Sequence, residues 1–201
     1  MSLFSFSEKL NNKDYHKYAI FLIVVSILGL FASFSLTMEK IATLENPDYV
    51  ASCSLNPIVS CSSSISGEQA SAFGFPNPFI GIFGFACVLT LGVSLLAGFR
   101  TKQKWYWLTF LAGTTFGMLF SIWLIYVSLF VVSKLCLYCT LIWIITIPTF
   151  FYSLSFTSRL GMIRLKGKLK EVIERDYVKL TVLCYAIVGL LVLFRWWDFW
   201  V

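Results

Sequence analysis

The chain has 201 residues, of which 58% are hydrophobic and only 13% are charged, and its formal net charge is +6. A soluble domain is typically about 25% charged, so this composition excludes an ordinary water-soluble protein and favours one membrane domain. The basic residues lie between long apolar segments, where they direct membrane topology, so we expect no nucleic acid among the partners.

Five long apolar segments follow one another along the chain. A transmembrane helix needs about 20 residues, because the hydrocarbon core is about 30 Å thick and a helix rises about 1.5 Å per residue. We therefore predict an all-α integral membrane protein, a bundle of four core transmembrane helices plus a fifth, peripheral helix, in one domain over residues 1–201. The predicted helices span residues 17–38, 78–99, 105–133, 136–158 and 178–195.

The basic residues are distributed unevenly between the connecting segments. Three lie before or at the start of the first helix, three lie between the second and third helices, and seven lie in residues 159–179, which makes thirteen of the sixteen. By the positive-inside rule, the N-terminus is expected in the cytoplasm and the C-terminus outside, together with a loop at residues 39–77. The cytoplasmic basic loop, residues 159–177, is expected to contact anionic membrane lipid, and part of it suits a short amphipathic helix.

This topology places four of the six cysteines on the outer face. Cys53 and Cys61 lie in the loop, and Cys136 and Cys139 form a CxxC motif where the fourth helix begins. Four thiols allow three pairings into disulfides, and the sequence does not choose among them. The other two cysteines, Cys87 and Cys184, fall inside helices, where a free cysteine usually behaves as a small buried hydrophobe.

Three interpretations of the outer cysteines are possible: a redox relay, a zinc site or structural disulfides. The amides at a helix start stabilise a thiolate, which favours redox chemistry at the CxxC motif. The separation of Cys53 from Cys61 is unlike a zinc motif, and His16, the single histidine, is expected in the cytoplasm, so no metal is predicted. A membrane channel or anchor protein with purely structural outer disulfides is the alternative, although the four core helices lack the ionisable residues that transporters usually carry.

The loop before the second helix also carries turn and helix signals. The segment "PIVSCSSSI" suits a short helix around Cys61, so the extracytoplasmic loop is predicted to carry one. Asn77 followed by Pro78 is typical of a helix start, with asparagine as the N-cap and proline in the first turn.

At these residues the chain resembles the vitamin K epoxide reductase family in its bacterial form. The resemblance covers roughly residues 15–160 and rests on the spacing of Cys53 and Cys61, on "NPIVSCSSSIS", on "FGFPNPFIG" before the second helix and on "CLYC" opening the fourth. It implies a helical-bundle oxidoreductase of the bacterial cytoplasmic membrane that passes electrons to a quinone, menaquinone or ubiquinone.

The resemblance also implies a role for each outer cysteine. Cys139 matches the cysteine that engages the quinone ring, and Cys136 matches its disulfide partner. Cys61 would pass electrons to Cys136 through an interdomain disulfide, and Cys53 would receive them from a partner protein.

The same resemblance suggests residues for the quinone site. Asn77 matches an asparagine that hydrogen-bonds one quinone carbonyl, and Trp143 stands where animal members have a tyrosine that contacts the other. Ser66 falls where members often have serine. The aromatic side chains that would hold the ring are those of Phe75, Phe79 and Phe83, together with Trp143.

The redox partner is expected to be a separate protein. Many bacterial members of the family carry a fused thioredoxin-like domain, whereas this chain ends at Val201. A DsbA-like or thioredoxin-like extracytoplasmic protein is therefore the expected electron donor. This role is similar to that of DsbB, and it favours disulfide-bond formation over vitamin K epoxide recycling.

Overall fold

The computed structural model of the protein describes residues 10–46, 48–54, 56, 58–163 and 165–197. Lys9 and Arg164, two of the basic residues used to predict topology, lie outside the described residues. The described elements, in chain order, are α1 (Asn12–Glu45), α2 (Cys61–Ser66), a 3-10 turn (Glu68–Ser71), α3 (Pro78–Leu96), α4 (Lys104–Tyr126), a π-helix (Val127–Val132), α5 (Leu137–Arg159), α6 (Gly167–Arg175) and α7 (Tyr177–Arg195).

Five of these helices are long and apolar enough to cross a membrane: α1, α3, α4 with its π-helical end, α5 and α7. The predicted all-α, multi-pass fold is confirmed. The last of them, α7, has one buried residue, Thr181, in agreement with the prediction of a peripheral fifth helix. The short helix predicted around Cys61 is α2, and α6 lies within the basic loop.

The first helix is longer than predicted. Residues 39–45 were expected in the outer loop, but α1 continues through them to Glu45. The segment "EKIATLE" is rich in good helix formers. The helix ends at Glu45, and Asn46 is its C-cap. In the sequence Asn46 precedes a proline, which disfavours helical geometry in the residue before it. The extension carries the charged residues Glu39 and Lys40 on a rigid helix to the height of the loop cysteines.

The tightest helix pair is α1 with α3, because small residues allow a close approach. A side chain at Gly29 would overlap the ring of Phe85, and one at Gly92 would press on Leu22. Leu22 and Phe85 belong to the main buried cluster of the bundle, which this close approach helps to build.

Polar contacts identify the two ends of the bundle. At one end, Arg100 donates a hydrogen bond to Asn12, and Arg159 pairs with Asp14 at 3.4 Å. This end therefore gathers the beginnings of α1 and α4 with the ends of α3 and α5, and most of the basic residues lie here. The four cysteines of the predicted relay lie at the opposite end.

The chain passes from α4 to α5 through irregular backbone. The π-helix ends at Ser133, which has a φ of 53°, in the left-handed region. Arg195, at the end of α7, donates to the carbonyl of Leu129 at 2.8 Å and to the hydroxyl of Ser133 at 2.6 Å. The peripheral helix is thereby tied to the π-helical turn next to the CxxC motif.

Candidate functional site

The CxxC motif forms the first turn of α5. Cys136 is the N-cap of this helix, and its sulfur accepts a hydrogen bond from the backbone N–H of Cys139 at 3.4 Å. A side-chain oxygen usually fills this position, and here a sulfur replaces it. The spacing of three residues therefore places both cysteines on one helical turn, as the sequence predicted for a CxxC at a helix start.

The loop cysteines form the second pair. Cys53 and Cys61 are joined in a disulfide, and Cys61 is the first residue of α2. The sulfur of Cys136 lies 3.2 Å from the sulfur of Cys61. The structure thus places a free thiol against one sulfur of a disulfide, which is the arrangement that thiol–disulfide exchange requires.

A β-bridge between backbone segments positions the sulfurs of Cys61 and Cys136 next to each other. Val59 and Leu135 form an isolated parallel β-bridge, in which the Leu135 N–H donates to the carbonyl of Ile58 and the Ser60 N–H donates to the carbonyl of Leu135, both at 2.8 Å. The residues that follow the two bridged segments are Cys61 and Cys136. The bridge therefore holds the two sulfurs in register across a sequence separation of 75 residues.

The turn before the bridge depends on one side chain. The Oδ1 of Asn56 accepts hydrogen bonds from the backbone N–H of Ile58 at 2.9 Å and of Val59 at 2.7 Å. This is the local side-chain-to-backbone bonding that asparagine favours in turns. The Asn56 turn therefore positions Val59 for its β-bridge with Leu135.

Three of the four outer cysteines are buried, and Cys139 is half-buried. Cys61 and Cys136 are fully buried, and Cys53 is 4% exposed. The Cys139 side chain hydrogen-bonds to the Cys136 sulfur and lowers the pKa of the Cys136 thiol, and the amides at the helix start act in the same direction, whereas burial and the charge of Glu39 oppose them. Cys136 is therefore the thiol that the site favours as a thiolate.

Cys139 links two buried clusters. It packs against the cluster that contains Cys53, Cys61 and Cys136, and also against a second cluster built around Trp143. The second cluster consists of Ile125, Leu129 and Trp143, with Leu135, Val188, Val192 and Trp196 around it. Cys139 is therefore in contact both with the cluster of the other three cysteines and with an apolar cluster that contains an aromatic side chain.

The Trp143 cluster offers an unused hydrogen-bond donor. Trp143 is 3% exposed, and its Nε1 has no hydrogen-bond partner among the described residues. An unpaired buried N–H costs free energy unless an acceptor is bound. A quinone has an apolar ring and two carbonyl acceptors, so the chemistry of this cluster fits such a ligand.

The other residues predicted for the quinone site lie elsewhere. The Asn77 side chain accepts from the Ala72 N–H at 2.9 Å and donates to the Gln69 carbonyl at 2.7 Å, so it folds the loop before α3 and makes no cap hydrogen bond. Ser66 is exposed and donates to the carbonyl of Ser62. The structure groups neither of them with Trp143.

The three predicted phenylalanines are also separate from the Trp143 cluster. Phe75 and Phe79 are each 44% exposed and Phe83 is 73% exposed. Phe79 and Phe83 lie on the apolar helix α3, whereas Phe75 lies in the loop before it.

The sequence interpretation missed a buried carboxylate next to the loop. Glu39 accepts hydrogen bonds from the backbone N–H and hydroxyl of Ser52 and from the hydroxyl of Tyr49. The hydrogen bond to Glu39 is also the main reason why the pKa of Tyr49 is raised. The sequence signal for this residue is a carboxylate that directly follows the apolar segment of the first helix. Because it falls in residues 39–77, it was predicted to lie in the outer loop.

The structure also bears on the other two cysteines and on the zinc interpretation. Cys87 is exposed rather than buried as expected, and Cys184 is partly buried; both are free thiols outside the two cysteine pairs. The Cys53–Cys61 disulfide takes two of the four thiolates that a zinc site would need. Among the described residues, no group of three or more histidine, cysteine or acidic side chains could hold a metal ion.

Comparison with models of protein families gives a match. A model described as the vitamin K epoxide reductase family matches residues 20–154, which is more than half of the chain and includes all four cysteines of the site. A search of curated protein sequences found no match.

Proposed function

The chain belongs to the vitamin K epoxide reductase family of membrane thiol oxidoreductases, and we propose that it oxidises an extracytoplasmic DsbA-like or thioredoxin-like protein and passes the electrons to a membrane quinone. The observation that carries the proposal is the distance of 3.2 Å between the sulfurs of Cys136 and Cys61, with Cys61 already in a disulfide. This contact connects two dithiols into one relay.

The first half of the cycle is exchange with the partner. A reduced partner gives two electrons and two protons to the Cys53–Cys61 disulfide through a mixed disulfide at Cys53, and the partner leaves with its own disulfide formed. Cys61 is then free as a thiol beside Cys136. Because Cys53 is buried, the segment that carries it moves when the partner attacks.

The second half is internal. When Cys136 and Cys139 are joined, the Cys61 thiolate attacks the Cys136 sulfur, and Cys139 leaves as a thiol. Cys53 then attacks Cys61, which reforms the Cys53–Cys61 disulfide and releases Cys136. The structure has this electron distribution, with the loop pair oxidised and the CxxC pair as thiols.

The last step regenerates the CxxC disulfide. Cys136 and Cys139 give up two electrons and two protons and become a disulfide, and bound quinone accepts them as it becomes quinol. The contact of Cys139 with the Trp143 cluster supports this placement, and the Trp143 indole N–H would donate to a quinone carbonyl. Menaquinone and ubiquinone both present such carbonyls.

The distribution of charge supports a role outside the cytoplasm. Most basic residues lie at the end of the bundle opposite the cysteines, so the relay would face the oxidising side of a bacterial cytoplasmic membrane, where disulfides persist. The net result of the cycle would be disulfide-bond formation in exported proteins, with electrons delivered to the quinone pool.

An anaerobic reaction of the purified protein tests the proposal. The protein is mixed with a reduced thioredoxin-like protein and with menaquinone or ubiquinone, and quinol formation is followed by ultraviolet absorbance. We expect quinol in proportion to the partner oxidised, and its loss in Cys139→Ala. Cys87→Ala is the matched control, because it removes a cysteine outside the relay, and it should keep the activity.

The same measurement can contradict the proposal. If no quinol forms, or if Cys139→Ala forms it as fast as the wild type, the relay to quinone is wrong. A channel or anchor protein with structural disulfides would give this result.

A further inference from the structure

Glu39 is an unusual residue to find at the membrane edge of this bundle. It lies on α1 and is only 8% exposed, although an ionised carboxylate is costly to bury without partners. Its Oε2 accepts from the Ser52 N–H at 3.2 Å and from the Tyr49 hydroxyl at 3.1 Å, and its Oε1 accepts from the Ser52 hydroxyl. All three donors belong to the short segment that leads into Cys53.

The neighbouring residue on α1 holds the other cysteine segment. Lys40 donates from its Nζ to the carbonyl of Ile65 on α2, the helix that begins with Cys61. Glu39 and Lys40, adjacent on α1, therefore hydrogen-bond to the segment before Cys53 and to the helix that begins with Cys61. A further hydrogen bond, from the Ala51 N–H to the Ser62 hydroxyl at 2.9 Å, joins this segment and this helix to each other.

The hydrogen bonds of Glu39 lie next to the Cys53–Cys61 disulfide. Ser52 is bonded to Cys53, and Cys53 is bonded through sulfur to Cys61, whose sulfur lies 3.2 Å from that of Cys136. A movement of the Ser52 segment away from α1 would therefore uncover the disulfide and shift Cys61 relative to Cys136. Hydrogen bonds to a charged acceptor are stronger than neutral ones, so the carboxylate is a main restraint on this movement.

We propose that Glu39 is a positioning residue that fastens the Cys53 segment to α1, keeps the Cys53–Cys61 disulfide covered from reductants in solution and holds Cys61 at exchange distance from Cys136. Release of this tie gives a partner access to Cys53, and its restoration returns Cys61 to Cys136. The inference rests on the proposed function for its biological meaning, but the two properties it assigns to Glu39 are measurable without a quinone or a partner protein.

The first measurement is access to the disulfide. Dithiothreitol reduces Cys53–Cys61 by giving up two electrons and two protons and closing into its own cyclic disulfide, and the freed cysteines are counted with a maleimide by mass spectrometry. In Glu39→Gln the amide nitrogen cannot accept a hydrogen bond, so the segment opens more often. We expect the reduction rate to rise about tenfold, as for the loss of hydrogen bonds to a charged group in a local opening.

The second measurement is the proximity of Cys61 and Cys136. In a variant that keeps only these two cysteines, diamide takes two electrons and two protons from the thiols and leaves a Cys61–Cys136 disulfide. We expect the rate of this reaction to fall by a similar factor, about tenfold, when Glu39→Gln is added. An opening of the loop thus changes the two rates in opposite directions.

Matched variants separate positioning from general stability. Glu45→Gln makes the same substitution at an exposed site on the same helix and should change neither rate. Glu39→Asp keeps the carboxylate on a shorter side chain and should give intermediate rates. The thermal midpoint of the bundle should stay near that of the wild type in all three variants, because the helices are not held together by this residue.

Two results would overturn the inference. One is a Glu39→Gln protein in which either rate equals that of Glu45→Gln. The other concerns Ser52→Ala, which is measured if Glu39→Gln does not fold. This variant removes one donor to the Glu39 carboxylate, so we expect the reduction rate to rise and the rate of Cys61–Cys136 disulfide formation to fall, each by less than in Glu39→Gln. Unchanged rates in Ser52→Ala would refute the role of Glu39. Since neither rate involves quinone, a protein that fails to make quinol can still pass this test.

Discussion

The indole of Trp143 shows how a single polar atom can indicate a ligand. Its N–H is buried beside Cys139 and has no acceptor among the described residues. A buried donor of this kind is destabilising in the empty protein and becomes favourable when an acceptor arrives. A bound acceptor would recover this cost, so the proposed quinone contact at Trp143 can be tested by removing the donor.

Trp143→Phe tests this interpretation at the residue scale. The phenyl ring keeps the aromatic surface but removes the donor, so we expect the KM for quinone to rise about three- to tenfold, the effect of one neutral hydrogen bond. Single-turnover oxidation of the partner by the loop disulfide should not change. Steady-state kinetics of quinol formation over a range of quinone concentrations measures the effect.

A second tryptophan gives the control for this variant. Trp107 is also buried, but its Nε1 donates to the carbonyl of Thr101 at 3.0 Å, at the opposite end of the bundle. Trp107→Phe should lower the thermal midpoint, because a hydrogen bond that is made in the protein is lost, and should leave the KM for quinone unchanged. A similar KM in Trp143→Phe and the wild type would contradict the assigned contact.

At the scale of elements, the contact between the sulfurs of Cys61 and Cys136 depends on an isolated β-bridge between two segments that each precede a helix. The bridge between Val59 and Leu135 holds the start of α2 against the start of α5, so each helix begins with a cysteine that faces the other. A helix end is a rigid support for a functional side chain. The bridge supplies the register, and the two helices supply the orientation.

Asn56 provides the test of this register. Asn56→Ala removes the acceptor of two backbone hydrogen bonds and should loosen the turn, so that disulfide formation between Cys61 and Cys136 in the two-cysteine variant slows about threefold to tenfold. Asn56→Asp keeps a side-chain acceptor and should behave like the wild type. Equal rates in Asn56→Ala and Asn56→Asp would show that the bridge does not depend on this turn.

At the scale of the whole molecule, the two ends of the bundle differ in chemistry. One end holds the contacts of Arg100 and Arg159 with the start of α1, and the other holds the cysteine pairs and the Glu39 tie. In a membrane this polarity would determine which compartment the cysteine pairs face.

Labelling of intact cells tests the orientation. In a variant without native cysteines, Glu68→Cys and Lys168→Cys introduce single thiols at exposed positions of opposite ends. A membrane-impermeant maleimide should label Glu68→Cys and should reach Lys168→Cys only after the cells are lysed. The reverse pattern would place the relay in the cytoplasm and would contradict a role in disulfide-bond formation outside it.

The number and type of the helices could be predicted from the sequence because hydropathy over about 20 residues is a property of the segment itself. The sequence left the resting pairing of the four outer cysteines open, and the approach of Cys61 to Cys136 followed only from the family resemblance. The role of Glu39 could not be predicted, since its partners Tyr49 and Ser52 reach it only when the loop folds back onto α1.

The hydrogen bonds of Asn77 were unpredictable for the same reason. Its position before Pro78 suited a helix cap, but the side chain bonds instead to the 3-10 turn and to the residue after it. Local patterns predict which residue begins a helix, whereas the partners of its side chain depend on how the preceding loop is folded.

The sulfur cap of α5 has an electrochemical consequence. The helix start and the Cys139 thiol stabilise Cys136 as a thiolate and lower the pKa of its thiol. Stabilising the thiolate stabilises the reduced form of a cysteine pair and raises its reduction potential, as it does in strongly oxidising dithiol proteins. The first turn of α5 therefore favours the reduced form of the CxxC pair, and a substitution that weakens the sulfur cap is expected to lower the reduction potential of this pair.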